Sequence, residues 1–119
     1  MLFRSTKSAR CNLLQEPFSP VKVGCLTFEE PDLTTFKCLK MAMDAAYMED
    51  SYSVVLNSAN EVLVDSFLKG NLEFLGIQKW VEKILDKHIP QKISDLESIL
   101  ALDKETRELV ERERKKVCI

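Results

Sequence analysis

The sequence predicts an all-α protein, a four-helix bundle-like domain over residues 33–119 preceded by an extended N-terminal linker segment over residues 1–32. Three observations carry this. From about Thr35 onward, apolar residues recur at spacings of three and four, which puts them on one face of a 3.6-residue helical turn. Three glycines and four prolines in 119 residues are too few for the tight turns of a β-rich fold. Pro17, Pro20 and Pro31 punctuate a first segment that shows no sustained period, as an extended linker would. Within that linker, Val21 to Phe28 forms a short strand-like stretch.

The first helix is expected from Phe36 to Met48, with Phe36, Leu39, Met43, Ala46 and Tyr47 as its apolar stripe and Met41, Ala42 and Ala45 widening it. The acidic turn Glu49-Asp50-Ser51 is expected to end it. A second helix is expected from Ser53 to Lys69, with Val55, Ala59, Val62, Leu63 and Phe67 on one face. Gly70 follows the last periodic residue, where a left-handed C-terminal cap belongs. The third helix has the clearest pattern: Ile77, Trp80, Val81, Ile84, Leu85 and His88 share a stripe, with Lys79, Glu82, Lys83, Asp86 and Lys87 opposite. Pro90 stops it.

Ser94 and Glu97 have capping-box spacing, and Asp95 would sit near the positive end of the helix dipole, so the fourth helix is expected to open there. Leu96, Ile99, Leu100 and Leu102 supply its early apolar face. Beyond Asp103 the acid-to-base pairs Asp103–Arg107, Glu108–Arg112 and Glu111–Lys115 suggest a half that projects along the surface, packing only Leu109, Val110 and Val117.

Composition excludes several classes of function. At 45% hydrophobic and 30% charged, the chain reads as soluble and globular. Its formal net charge of −2 suggests neither nucleic acid nor a membrane as partner. Residues 1–28 carry a net +3 and residues 29–65 a net −6. No apolar run approaches the roughly 20 residues of a membrane span. Cys11, Cys25, Cys38 and Cys118 include no CxxC pair, and His88 is the sole histidine, so a zinc site is not expected. A reduced cytoplasmic protein is the reading. The basic, acid-poor N-terminus leaves a plastid or other organelle address as the alternative.

No grouping points to catalysis. There is no GxGxxG and no P-loop. His88 ends an apolar stripe at a helix C-terminus, where a protonated imidazole gains from the helix dipole. Glu29, Glu30 and Asp32 form an acidic knot that reads as a solvated turn instead of a cation site. Trp80 reads as core. Asn57, Asn60 and Glu61 make a polar patch at i, i+3 and i+4 inside an apolar helix, although asparagine disfavours helix interiors. Two readings are open: a ligand contact, or amides that tie neighbouring backbone and satisfy buried groups. The second is favoured.

Two segments carry a resemblance. LTFEEPDLTTFKCLKMAMDAA, residues 26–46, and VLNSANEVLVDSFLKGNLEFLGIQKWVEKIL, residues 55–85, resemble the C-terminal region of the 1-deoxy-D-xylulose 5-phosphate reductoisomerase family. The matching motifs are Leu26-Thr27-Phe28, Pro31-Asp32, Cys38-Leu39-Lys40 and Asn57-Ser58-Ala59-Asn60-Glu61, and the likeness runs over about residues 26–115. The family usually has proline where this chain has Lys37, so the first helix is expected to begin less sharply.

The resemblance implies a homodimeric parent enzyme of non-mevalonate isoprenoid biosynthesis. That enzyme makes 2-C-methyl-D-erythritol 4-phosphate with NADPH and Mg2+ or Mn2+. It also implies that nucleotide, metal and substrate sites lie ahead of the matched region. On this reading the chain holds no catalytic, cofactor-binding or metal-binding residue, is inactive alone, and supports the catalytic domain as its partner. The alternative is a free-standing helical interaction module. An apolar docking surface distinguishes the first role from the second, which would show a polar one.

Overall fold

The computed structural model describes residues 15–48 and 50–117. The chain divides between Pro31 and Asp32 into two units. All regular structure among the described residues is helical.

In the first unit, α1 (Pro20–Val23) is a single turn where a strand-like stretch was expected. Pro20 has the fixed φ that suits a first helical position. Gly24, at φ 74°, closes the turn by donating its N–H to the Pro20 carbonyl at 2.9 Å. None of the unit's described residues is buried.

The second unit holds α2 (Lys37–Tyr47), α3 (Asp50–Leu68), α4 (Phe74–Lys87) and α5 (Leu96–Val117). Helix α3 is the hub, packing against α2, α4 and α5, while α2 also touches α4. The shared core consists of Val55, Ala59 and Leu63 from α3, Ile77, Val81 and Ile84 from α4, and Leu102 and Val110 from α5. The α3 and α4 sets recur at three or four residues and the α5 pair at eight, so each helix turns one stripe inward. Trp80 packs its ring against this core, with Lys83 Nζ 4.6 Å from the ring centre.

Local chemistry sets the helix ends. Asp32 accepts the Thr34 and Thr35 N–H groups and the Thr35 hydroxyl, which organises the turn leading to α2. Helix α2 begins at Lys37 without proline, and Lys37 pairs with Glu82 of α4 at 3.7 Å. Asp50 and Ser51, expected in a terminating acidic turn, already belong to α3, while Glu49 lies outside the described residues. At the far end of α3, Gly70 (φ 76°) donates to the Phe67 carbonyl, and Asn71 donates to the Ser66 carbonyl. Those two bonds make the Schellman cap that Gly70 predicts.

Helix α5 corrects two expectations. Its N-cap is Asp95, one residue later than Ser94: Asp95 Oδ1 accepts the Ser98 N–H at 2.8 Å and the Ser98 hydroxyl lies 3.3 Å from the Asp95 N–H. Its charge-laced half does not merely project along the surface. Leu102, Thr106 and Val110 are buried at four-residue intervals along it, whereas Leu96, Ile99, Leu100 and Val117 are exposed.

Polar side chains fasten that half to α3. The buried Ser58 hydroxyl lies 2.5 Å from Asp103 Oδ1. Asp103 and Glu61 both receive Arg107, and Arg114 donates to Ser66 Oγ and to the Asn71 carbonyl. The Asp103–Arg107 pair forms as the spacing suggests. Glu108–Arg112 and Glu111–Lys115 are not among the ion pairs of the described residues.

Candidate functional site

The outer surface of α2 is where the fold departs furthest from expectation. Its apolar stripe was expected to face the core. Instead, Phe36 is 62% exposed, Leu39 44%, Met43 42% and Tyr47 90%, while Ala45 is the buried residue of the helix. Cys38 and Met41, half-buried, turn the same way as Ala45. The helix is therefore apolar on both sides. Cys38, Met41 and Ala45 turn inward, and the stripe at 36, 39, 43 and 47 faces outward. Apolar side chains aligned on one solvent-facing stripe mark an interaction surface, unlike single scattered ones.

A cleft of about 260 Å³ also lies between α2 and α3. Cys38 and Ala42 line it from α2, Ser53, Leu56, Asn57 and Asn60 from α3, and Val81 of α4 lines it as well. Ala42 and Ser53 are short, so a partner's main chain can approach closely. Burial raises the Cys38 thiol pKa, which keeps it a neutral thiol at pH 7. Cys25 and Cys38 are both free, and Cys11 and Cys118 lie outside the described residues.

Asn57 and Asn60 do not tie buried backbone, as the sequence reading favoured. Both are exposed, and neither side chain hydrogen-bonds another described residue. Glu61 differs from them, since it holds Arg107 and so braces α3 against α5. The physical reason is rotation about α3. The buried positions at 51, 55, 58, 59 and 63 leave 57 and 60 on the opposite, outward side.

The remaining titratable candidates are structural. His88 is the C-cap of α4, with Nε2 2.9 Å from Ser51 Oγ and its ring edge-on to Tyr52 at 4.9 Å. Ser51 Oγ accepts the Gln91 N–H at 3.0 Å, which leaves its own proton to donate to a neutral imidazole. Burial lowers the His88 pKa from its ordinary value, although the Glu105 charge pulls the other way. The expected protonated histidine at the helix dipole is thus corrected to a neutral one.

A lowered pKa in the folded state means the unfolded chain takes up the proton first. His88 therefore stabilises the fold fully above about pH 6.5, the unperturbed histidine value, and progressively less as the pH falls. Chemical denaturation at pH 7.5 and pH 5.5 should show a loss of stability at the lower pH, and His88→Gln should flatten that loss.

Three carboxylates are likewise engaged. The Thr35 hydroxyl and N–H hold Asp32 below the usual carboxylate range. Arg107 and Ser58 do the same for Asp103, and Lys87 with Lys116 brings Glu113 down to about 2. No three His, Cys, Asp or Glu side chains gather into a metal-binding group among the described residues. No helix described is long and apolar enough to cross a membrane.

The buried serines of α3 escaped the sequence reading. Ser51, Ser58 and Ser66 lie among apolar neighbours, and each bonds a polar group on a different segment: His88 and Gln91, Asp103, or Arg114. Their spacing of seven and eight residues was the available signal.

Comparison with known proteins agrees with this domain. The family model described as the DXP reductoisomerase C-terminal domain matches residues 5–109. The 1-deoxy-D-xylulose 5-phosphate reductoisomerase of Lawsonia intracellularis is 44% identical over 99 residues, covering 83% of this chain and 25% of that protein. The enzyme of the same name from Symbiobacterium thermophilum is 42% identical over 99 residues, covering 83% and 26%. The chain thus spans about a quarter of the length of the curated relatives it matches. Among solved structures, the Zymomonas mobilis reductoisomerase in complex with NADPH superposes with a TM-score of 0.73 at 34% identity, covering 87% of this chain and 28% of that one.

Proposed function

The chain belongs to the DXP reductoisomerase C-terminal domain family, and we propose that it acts as the helical support of a reductoisomerase whose chemistry is performed elsewhere. On this reading the partner is the catalytic portion of such an enzyme, in the cytoplasm. That portion binds NADPH, the divalent metal and 1-deoxy-D-xylulose 5-phosphate, and the complete enzyme is a homodimer. This chain supplies no catalytic, cofactor-binding or metal-binding side chain.

The outward stripe Phe36-Leu39-Met43-Tyr47 is the observation that carries the reading. A self-sufficient interaction module would be expected to keep a polar surface there, whereas a supporting domain needs an apolar face to dock. The engaged carboxylates add support, because Asp32, Asp103 and Glu113 hold their protein partners instead of presenting free oxygens.

A chimera tests it. In the Lawsonia relative, this chain replaces the matched quarter, and NADPH oxidation with 1-deoxy-D-xylulose 5-phosphate is measured. Activity within about tenfold of the parent is expected. A soluble chimera without turnover would count against the supporting role, and turnover by the isolated chain would contradict the assignment of the chemistry to its partner.

A further inference from the structure

We infer that Asn57 and Asn60 are the polar anchors of the docking face, taking main-chain N–H and C=O groups of the reductoisomerase catalytic portion into the α2–α3 cleft; this rests on the proposed supporting role. Three observations converge on it. The cleft wall is short-chained at Ala42 and Ser53, which admits backbone where larger side chains would exclude it. Two amides one helical turn apart point to the same side, and neither has a hydrogen-bond partner among the described residues. Both sit in the interior of a 19-residue helix, where asparagine lowers helix propensity without return inside the domain.

Around them the surface is apolar. Leu39 and Met43, on the outward side of α2, are the chain neighbours of Cys38 and Ala42, and Phe67 continues the α3 face beyond Asn60. A covered apolar surface with polar groups at its centre requires those groups to be paired, because an unpaired amide loses its water on docking. Each carboxamide offers two N–H donors and one carbonyl acceptor, so the pair can hold both kinds of main-chain group in one segment.

The occupant follows from the relatives. The match is to their C-terminal domain and spans a quarter of their length, so three quarters of each relative lies outside it. In this chain the connection from the N-terminal side passes through the Asp32 turn directly into α2, the helix that carries the stripe.

The test uses the full chain and the same Lawsonia chimera, each with and without Asn57→Ala plus Asn60→Ala. The rate of Met43 oxidation by hydrogen peroxide reads the undocked fraction, since Met43 is exposed in the free domain. The double variant is expected to raise that rate in the chimera at least tenfold, while the melting temperature of the isolated chain stays the same or rises. Equal protection of Met43 in both chimeras would overturn the anchor assignment and leave the supporting role standing. A lower melting temperature of the isolated variant would reassign the asparagines to the fold. An unprotected Met43 in the unmutated chimera would overturn both readings.

Discussion

Replacing Leu39 or Met43 with glutamate is expected to leave the isolated chain as stable as before and to undo its docking. Glutamate and these residues have similar helix propensities, and both side chains already face solvent, so the change in folding free energy should stay within about 0.5 kcal/mol. In the docked state the new carboxylate would be buried without a partner. That costs at least about 3 kcal/mol, a factor of more than about 100 in the docking equilibrium. Thermal unfolding of the free chain and NADPH turnover of the chimera measure the two sides separately. Leu39→Glu with a melting temperature about 10 °C lower would place Leu39 in the core and remove the argument for an outward stripe.

Leu63→Ala should have the opposite signature, with a large loss of stability in the isolated chain. Leu63 is fully buried on α3, the helix against which the other three pack. Truncation removes three carbons from the centre of that contact and leaves a cavity, at a cost of about 2–5 kcal/mol. In a domain of this size the melting temperature should fall by roughly 10 °C or more. Leu68→Ala, five residues on but 75% exposed, is the contrasting change and should cost little. Circular dichroism melts of the two variants check the pair. Equal losses would mean that α3 is not the hub.

Much of this was legible in the sequence for an identifiable reason. Where apolar residues formed one stripe, as at Ile77, Val81 and Ile84, the helix and its inward face followed from period alone. Gly70 announced its cap because a left-handed φ favours glycine. Helix α2 was harder, since it is apolar on two sides. Periodicity reports that stripes exist but not which one the rest of the domain covers. The larger stripe was taken for the core, and the structure buries Ala45 instead. The same ambiguity hid the orientation of Asn57 and Asn60.

Helix α5 failed for a different reason. Its dense charge reads as a solvated face. Yet Leu102, Thr106 and Val110 keep a narrow buried line through it, and Asp103, Arg107 and Arg114 reach α3 instead of water alone. Buried Ser58 and Ser66 carry the complementary polar atoms, and serine in a helix gives little advance notice of that role. The family resemblance was legible throughout, because its motifs lie in order along most of the chain.

The central claim is that the outward face of α2 is covered by the catalytic portion of a reductoisomerase. Methionine oxidation followed by mass spectrometry tests it most directly, because one exposed methionine lies in the stripe and another outside it. Met43 sits in the stripe, whereas Met48 lies just past the end of α2 and lines the cleft toward α4. In the isolated chain both should oxidise readily. In the chimera Met43 should be protected at least tenfold while Met48 keeps its rate. Equal oxidation of Met43 in the chain and in the chimera would contradict the account.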